Sequence, residues 1–445
     1  MSRSNAVAPT PFEAHVTALG HDGRGVARID GKTVFVSGAL LGEHVLARLR
    51  KRHRHFDEAE VVEVITASPH RVEPRCQHFA QCSGCSLQHL DAGSQIAAKQ
   101  SVLSENFERI GKVTPASWLP PLTAEPWAYR RKGRLSVRHV AKKGRVLVGF
   151  REEQNPRFVT EIQRCEVMHP SLGPKVGLLA ELIGSMDAID TIPQIEFAAG
   201  DEQMALVFRH MQPLSERDLA ALTAFGQQHD LAIYLQPGGT SSVHPLWPAN
   251  PRLAFRIASD DARFAGVELE FQPLDFIQVN AGMNQLMMAR TLDLLELQPT
   301  DRVLDLFCGL GNFTLPIARR VAEVVGVEGE HGLVERAAQN AARNDIGNAQ
   351  FHVANLFEDQ RHTEWARQPW DKLLLDPPRA GADKLLEYLP HKQTRRIVYV
   401  SCHPASLARD AGILVNRHGF KLAAAGVMDM FPHTAHVESI ALFER

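Results

Sequence analysis

The sequence predicts a multidomain chain: a small N-terminal β-barrel, an α+β central domain and a C-terminal α/β domain built on a doubly wound, Rossmann-like sheet. Three observations carry this. Residues 12 to 66 show period-two apolar alternation broken by glycines, three cysteines fall between residues 76 and 85, and Val303 to Ala318 reads as strand, glycine turn and helix. A chain of 445 residues can hold two or three domains, each with its own core. The expected boundaries are 1–68, 69–270 and 271–445.

Composition narrows the class. With 44% hydrophobic and 22% charged residues the chain reads as soluble and globular. The opening MSRSNAVAPTPFE has no apolar signal region, and no run is long enough to span a bilayer, so a cytoplasmic protein with no membrane partner is expected. Six cysteines in a reduced compartment are not expected to form disulfides. The net charge of −2 hides an asymmetry: residues 1 to 151 carry 23 Lys and Arg against 13 Asp and Glu, while the remainder carries 26 against 38. A polyanion contacted mainly by the front half fits that division. No interface feature stands out, so a monomer is expected.

The barrel strands read as FEAHVTAL, HDGRGVARIDGK, TVFVSGAL, HVLARLRKRH and EAEVVEVI, with Val34, Val36, Val45, Ala47 and Leu49 alternating inward. A basic run, Arg48, Arg50, Lys51, Arg52 and Arg54 with His53 and His55, is expected between the last two strands. GHDGRGVAR and the GE of LLGEHV resemble a TRAM domain, an OB-like barrel that binds RNA. Such barrels track phosphates with cations and stack bases on aromatic rings. Only Phe12, Phe35 and Phe56 are available for stacking, which favours positioning RNA over reading its sequence.

Cys76, Cys82 and Cys85, with Cys165 far downstream, offer thiolates that could hold iron or zinc, and a structural zinc could recruit His78 or His89. A helix is expected over 94–111, capped by Ser94, with Ile96, Leu103, Phe107 and Ile110 on its apolar face and Gly111 ending it. A hairpin turning at Lys143-Gly144 follows, and its cations Arg130, Arg131, Lys132, Arg134 and Arg138 suit a solvated face or a second RNA contact. Strand-like IEFAAG, MALVFRH, LAIYLQP and VELEFQP alternate with helical pieces up to FIQVN, which introduces a helix through MNQLMMARTLDLLEL.

At the glycine turn, Asp305 ends a buried strand and a helix is expected to open from Asn312. A dinucleotide turn would want glycine at position 314, where threonine stands. The remaining D-x-F-x-G-x-G, followed by a strand ending in Glu328, resembles the first motif of methyltransferases that use S-adenosyl-L-methionine (SAM). Further on, LLLDPPR, SCHPASLARD and HVES resemble the RNA uracil-C5 methyltransferase family. CQHFAQCSGC resembles the cysteine stretch of its members that carry a 4Fe-4S cluster, with Ser83 where glycine is usual.

The resemblance implies SAM held by Gln278, Phe307, Asn312, Glu328 (ribose), Asn355 (adenine) and Asp376, and a 4Fe-4S cluster on Cys76, Cys82, Cys85 and Cys165. It also implies a Cys402 thiolate that adds to carbon 6 of uracil and a Glu438 carboxylate that removes the carbon-5 proton. His403 stands where the family commonly has asparagine, and Cys308 is given no catalytic part. Relatives in that family that act on tRNA lack the barrel and the cysteine cluster, so the resemblance implies 23S rRNA rather than tRNA as the partner. Three other readings compete: amine methylation through DPPR, radical-SAM chemistry, for which a CxxxCxxC loop is missing, and a non-catalytic RNA-binding assembly factor.

Overall fold

The computed structural model describes residues 10–259, 261–389 and 393–445. They group into two compact units, one formed by the chain up to Val102 together with Phe431–His436, the other by Leu103–Met430 together with Val437–Arg445.

In the first unit, β1 (Phe12–Leu19), β2 (Gly25–Ile29), β3 (Lys32–Ser37), β4 (His44–Arg52) and β5 (Phe56–Thr66) close a barrel in the order β1-β2-β3-β5-β4. Closure leaves no edge strand to pair with other chains. Inward positions are small or β-branched (Ala14, Val16, Ala27, Val34, Val36, Val45, Ala47 and Ala59), which suits a narrow lumen. Of the basic run, Arg48 to Arg52 lie within β4, paired with β5, and Arg50, Lys51 and Arg52 are exposed. Glu43, only 1% exposed, is the barrel's polar anchor. It accepts from Arg71 Nε at 2.6 Å and from the amides of Leu40 and Ser68. Burial alone would raise its pKa, but Arg71 and the two amides outweigh it and hold the carboxyl below its usual range.

The helix α1 (Ala92–Asn106) starts two residues before the expected Ser94. Asp91, one position before the helix and three before Ser94, is the cap: its carboxylate accepts from Ser94 N and Ser94 Oγ at 2.9 and 2.8 Å and so satisfies a free amide of the first turn. Leu103 and Phe107 are buried as expected, whereas Ile110 is 48% exposed, and the buried face also takes Gln95 and Lys99. A π-helical turn, Phe107–Gly111, ends this stretch in the second unit.

The second unit holds two large sheets. After β6 (Ser117–Trp118), the hairpin β7 (Lys132–Val140) and β8 (Arg145–Gly149) turns through a left-handed Gly144. The helix α2 (Val176–Gly184), strands β9 (Gln194–Ala199) and β10 (Met204–Arg209), helix α3 (Glu216–His229), and strands β11 (Leu231–Gln236) and β12 (His244–Trp247) complete a sheet of order β12-β11-β10-β9-β7-β8. The strands β13 (Ala254–Ile257) and β14 (Val267–Glu270) form a separate two-stranded ribbon. Next comes α4 (Ala281–Leu295), capped by Asn280, whose Oδ1 accepts from Met283 N at 3.1 Å.

The second sheet is the doubly wound one. Its chain order is β15 (Arg302–Leu306), α5 (Thr314–Ala318), β16 (Glu323–Glu328), α6 (His331–Arg343), β17 (Ala349–Val353), α7 (Glu364–Arg367), β18 (Lys372–Leu375), α8 (Asp383–Leu386), β19 (Arg396–Ser401), α9 (Pro404–Asn416), β20 (Lys421–Met428) and β21 (Glu438–Glu444). Its spatial order is β17-β16-β15-β18-β19-β21-β20-β6, parallel from β17 to β19 and antiparallel at β21. Leu373, Leu374 and Leu375 are wholly buried, as two-sided coverage of a parallel sheet demands. Truncating any of them to alanine costs about 2–5 kcal/mol. The chain leaves β15 toward β16 on one side and later returns to β18 on the other, so a switch point opens at the carboxyl end of β15.

Backbone meets backbone where the Phe107–Gly111 turn packs on α9: a Cβ at Gly111 would stand 2.4 Å from Ala408 O, and one at Gly412 would stand 2.8 Å from Gly111 O. Among the described residues no helix is long and apolar enough to cross a membrane.

Candidate active site

The turn after β15 is made of backbone strain. Phe307 takes a left-handed φ of 67°, rare for a bulky residue, and Gly309 and Gly311 follow at 56° and 93°. Phe307 N donates to Val327 O at 2.8 Å, which ties the turn to β16. Glu328, at the end of β16, accepts from Gly309 N at 3.2 Å and from Gly329 N and Glu330 N at 2.6 and 3.1 Å. Its carboxylate therefore stands on the rim of the glycine turn. The helix opens at Thr314, not at Asn312, whose side chain forms a reciprocal amide pair with Asn284 at 3.0 and 3.1 Å.

Asp305 is fully buried beneath the turn, and Thr314 Oγ1 donates to its Oδ2 at 2.5 Å while Oδ1 has no partner. Burial pushes its pKa up to about 7. Asp376, just past β18, is also lifted to about 7 by burial, with the charges of Asp305 and Glu328 adding to it. Phe276, Gln278, Phe307, Gly309, Asn312 and Asp376 line one recess at the switch point. Asn355 lies beyond the recess at the end of β17, where its Oδ1 accepts from Phe357 N at 3.1 Å. Phe357 links it back, its ring 5.9 Å from that of Phe307.

Sequence reasoning missed what holds Gln278. Arg131, 3% exposed, donates from Nε to Gln278 O at 2.7 Å and lies 4.3 Å over the Phe255 ring. Lys132 Nζ donates to Pro273 O at 2.7 Å, and burial pushes its pKa down to about 8. Neither cation sits on a solvated face. Their acceptors are main-chain carbonyls more than a hundred residues away in sequence, so no local pattern announces them.

The turn after β19 is built from side chains. Cys402 follows Ser401, and His403 caps α9 by accepting from Ser406 N at 3.3 Å through Nδ1. An imidazole nitrogen thus does the capping work that asparagine does elsewhere. Cys402 is half-buried, and burial pushes its thiol up to about 11; Glu438 and Asp376 push the same way and Arg379 opposes them. Glu438 opens β21, and its neighbour Ser439 lies opposite Ser401 in register. The DPPR loop is clamped onto α9. Asp410 accepts from Ala382 N at 2.7 Å and Tyr399 OH at 2.6 Å, Arg409 donates to Ala380 O, and Ser406 Oγ donates to Arg379 O. Gly381, at φ 80°, leaves room for that clamp: a Cβ there would meet Arg409 at 2.5 Å.

Cys308 and Cys402 are free thiols. Cys76, Cys82 and Cys85 share one loop of the first unit, where Cys82 N donates to His78 O and Gly84 N donates to Cys82 Sγ at 3.4 Å. Cys165 belongs to the second unit, its amide bonded to Gly173 O. His89 is buried beside Phe79 and pushed down to about 4 by burial and by Arg71, so it is a neutral imidazole. Among the described residues no three His, Cys, Asp or Glu side chains are gathered as a metal centre.

A strand-end carboxylate over a strained glycine turn, at the switch point of a doubly wound sheet, is the architecture of Rossmann-like SAM-dependent methyltransferases. Comparison with known proteins narrows the class. Residues 263–445 match the family model tRNA (Uracil-5-)-methyltransferase, and residues 11–62 match the TRAM domain. The chain is 61% identical, over all of both chains, to the 23S rRNA (uracil(1939)-C(5))-methyltransferase RlmD of Xanthomonas campestris pv. campestris strain 8004. It is 60% identical, again over all of both chains, to the RlmD of Stenotrophomonas maltophilia strain K279a. Its fold is similar to the crystal structure of Pyrococcus abyssi tRNA (uracil-54, C5)-methyltransferase in complex with S-adenosyl-L-homocysteine, with a TM-score of 0.74 and 22% identity, covering 97% of this chain and 99% of that one. The chain belongs to the RNA uracil-C5 methyltransferase family, in its RlmD branch.

Proposed function

We propose that the protein methylates carbon 5 of a specific uridine in 23S rRNA, using SAM as donor. The observation that carries this reading is electrostatic and geometric: Cys402 feels Glu438, Asp376 and Arg379 together, and Asp376 also lines the switch-point recess. The RlmD relatives act on 23S rRNA by name, and the basic β4 of the TRAM barrel supplies phosphate contacts.

When bound, SAM supplies an electrophilic methyl group on a cationic sulfonium. Gln278, Phe307, Asn312 and Asp376 would hold it in the recess, Glu328 would accept from the ribose hydroxyls and Asn355 would face the adenine. The polar side chains that line the recess, Gln278, Asn312 and Asp376, fit a polar ligand there.

Cys402 loses its proton to solvent and its sulfur bonds to carbon 6 of the uracil. The C5=C6 electron pair moves into the ring as an enolate, and carbon 5 then takes the methyl group. Glu438 removes the proton left on carbon 5, the double bond re-forms, and the C6–S bond breaks to release the thiolate. The target base leaves its stack to reach this pair.

Cys76, Cys82, Cys85 and Cys165 are assigned to a 4Fe-4S cluster with a structural role. Its support is the donor set itself: three thiols on one loop, with a backbone amide already donating to one sulfur as in ligated thiolates. Iron and sulfide analysis of anaerobically purified protein tests it, and a cysteine loop that stays folded and iron-free would overturn it. The working form is assigned as a cytoplasmic monomer.

The deciding experiment uses a 23S rRNA fragment carrying 5-fluorouridine, with tRNA in parallel, mixed with SAM and run on a denaturing gel. Fluorine cannot leave as a proton, so the covalent complex stalls. An adduct with rRNA alone that disappears in Cys402→Ala is expected; tight binding without any adduct would return the reading to amine methylation or to a binding role.

A further inference from the structure

Buried polar groups hold the chain between β20 and β21. Phe431–His436 belongs to the first unit. There Ser86 N and Leu87 N both donate to His433 O at 2.9 Å, and Ala435 N donates to Ser86 Oγ at 3.0 Å. Gln95, 3% exposed, accepts from His433 N at 2.9 Å while its amide donates to Leu87 O and Leu90 O at 3.1 and 2.7 Å. Lys99, 2% exposed, donates from Nζ to Phe431 O at 3.0 Å. Ala435 packs against Leu40, Leu87 and Leu90. Taking an ammonium and an amide out of water costs several kcal/mol unless each bond is made with good geometry. Here the ammonium and the amide oxygen each meet a main-chain atom of one six-residue loop, while the amide nitrogen holds Leu87 O and Leu90 O.

Glu438 lies two residues beyond that loop. A general base must come within hydrogen-bond reach of the proton it takes, and an ångström of misplacement costs on the order of 100-fold in rate. We infer that Gln95 and Lys99 are positioning residues for Glu438: they fix the Phe431–His436 backbone and so set where the base stands once the methyl group has been transferred. This rests on the reading of Glu438 as the base. The nucleophile, Cys402, follows β19 and has no share in this loop. Loss of the latch therefore slows proton removal and leaves methyl transfer intact.

The test uses the full-length protein, purified with its iron, and RNA with ordinary uridine at the target. In Lys99→Met and Gln95→Leu, single-turnover methyl transfer to RNA is expected to stay within about threefold of wild type, while release of tritium from carbon 5 falls by about tenfold or more. A covalent protein–RNA complex then accumulates on denaturing gels, a signature that general destabilisation does not produce. Gln95→Glu, which keeps the acceptor for His433 N, should restore part of the release rate. Ser86→Ala, which removes only the acceptor for Ala435 N, is the milder variant if either substitution prevents folding, and is expected to show the same signature at smaller size.

Glu438→Gln runs beside them. If it accumulates the complex and the latch variants do not, the positioning role is overturned and the base stands. If Glu438→Gln itself gives no complex, the base assignment falls and the latch role falls with it. Methyl transfer and tritium release declining together in the latch variants would also overturn the inference.

Discussion

Two turns leave the same edge of the doubly wound sheet and each carries a cysteine, but they are made of different material. After β15, Cys308 lies under a turn shaped by main-chain geometry, with left-handed Phe307, Gly309 and Gly311 and amides fastened to Glu328. After β19, Cys402 lies in a turn shaped by side chains, with the His403 cap and the Asp410 clamp on the DPPR loop. Cys308 is 3% exposed and burial pushes its thiol well above the usual range, with Asp305 and Glu328 adding to the push and no arginine opposing it. Cys402 is half-buried, and Arg379 pulls against the two carboxylates. One residue type at one sheet edge thus sits in two electrostatic settings set by its neighbours.

The largest effect should separate the two thiols. Cys402→Ala is expected to lower methylation by on the order of 10⁴-fold or more and to abolish the adduct with 5-fluorouridine RNA. Cys308→Ala is expected to lose less than about tenfold, through looser packing against Gly326. A reversed ranking would break the comparison. Next, Glu328→Gln should raise KM for SAM by about 10- to 100-fold with kcat little changed, since it removes a charged acceptor on the donor side only.

The pH dependence sharpens the Cys402 side. With the Cys402 thiol at about 11, its thiolate fraction grows with every step of pH below that value. Adduct formation should therefore rise by about tenfold per pH unit from neutrality upward. Arg379→Ala removes the opposing cation, raises that pKa further, and should slow adduct formation by about tenfold at fixed pH.

The smallest effect concerns stability under the donor turn. The Asp305 carboxyl has a folded-state pKa of about 7, against about 3.9 in an unfolded chain, so the folded protein binds this proton more tightly. Its contribution to stability is complete below about pH 4 and is lost as pH rises through 7. Asp305→Asn should then raise Tm by a few degrees at pH 8, by less at pH 5 and hardly at all at pH 4, measured by calorimetry on the ligand-free protein.

Much of the fold is legible because periodicity is local. Val34 and Val36, or Leu373 to Leu375, announce a barrel wall and a buried parallel strand by spacing alone, and the D-x-F-x-G-x-G turn announces its own backbone. What stays hidden is polar burial. Gln95 and Lys99 occupy the inner face of α1 because carbonyls and amides more than 300 residues away meet them. Ile110, apolar and in phase, points outward instead. Arg131 and Lys132 read as solvated cations for the same reason. In the candidate site, strand-end residues such as Glu328, Asp376 and Cys402 could be named from sequence, but the clamp formed by Arg409, Asp410 and Tyr399 could not. Its partners converge only after α9 folds back over β19.

The contact between Gly111 and α9 bears on how such sequences drift. Each of the two glycines faces main-chain atoms of the other segment with no room for a methyl group, so neither can change alone. A larger residue at either position would have to push aside the helix that His403 caps, and with it the Cys402 turn. Among descendants of this chain that keep their activity, positions 111 and 412 should therefore remain a glycine pair, while exposed Ile110 beside them is free to vary.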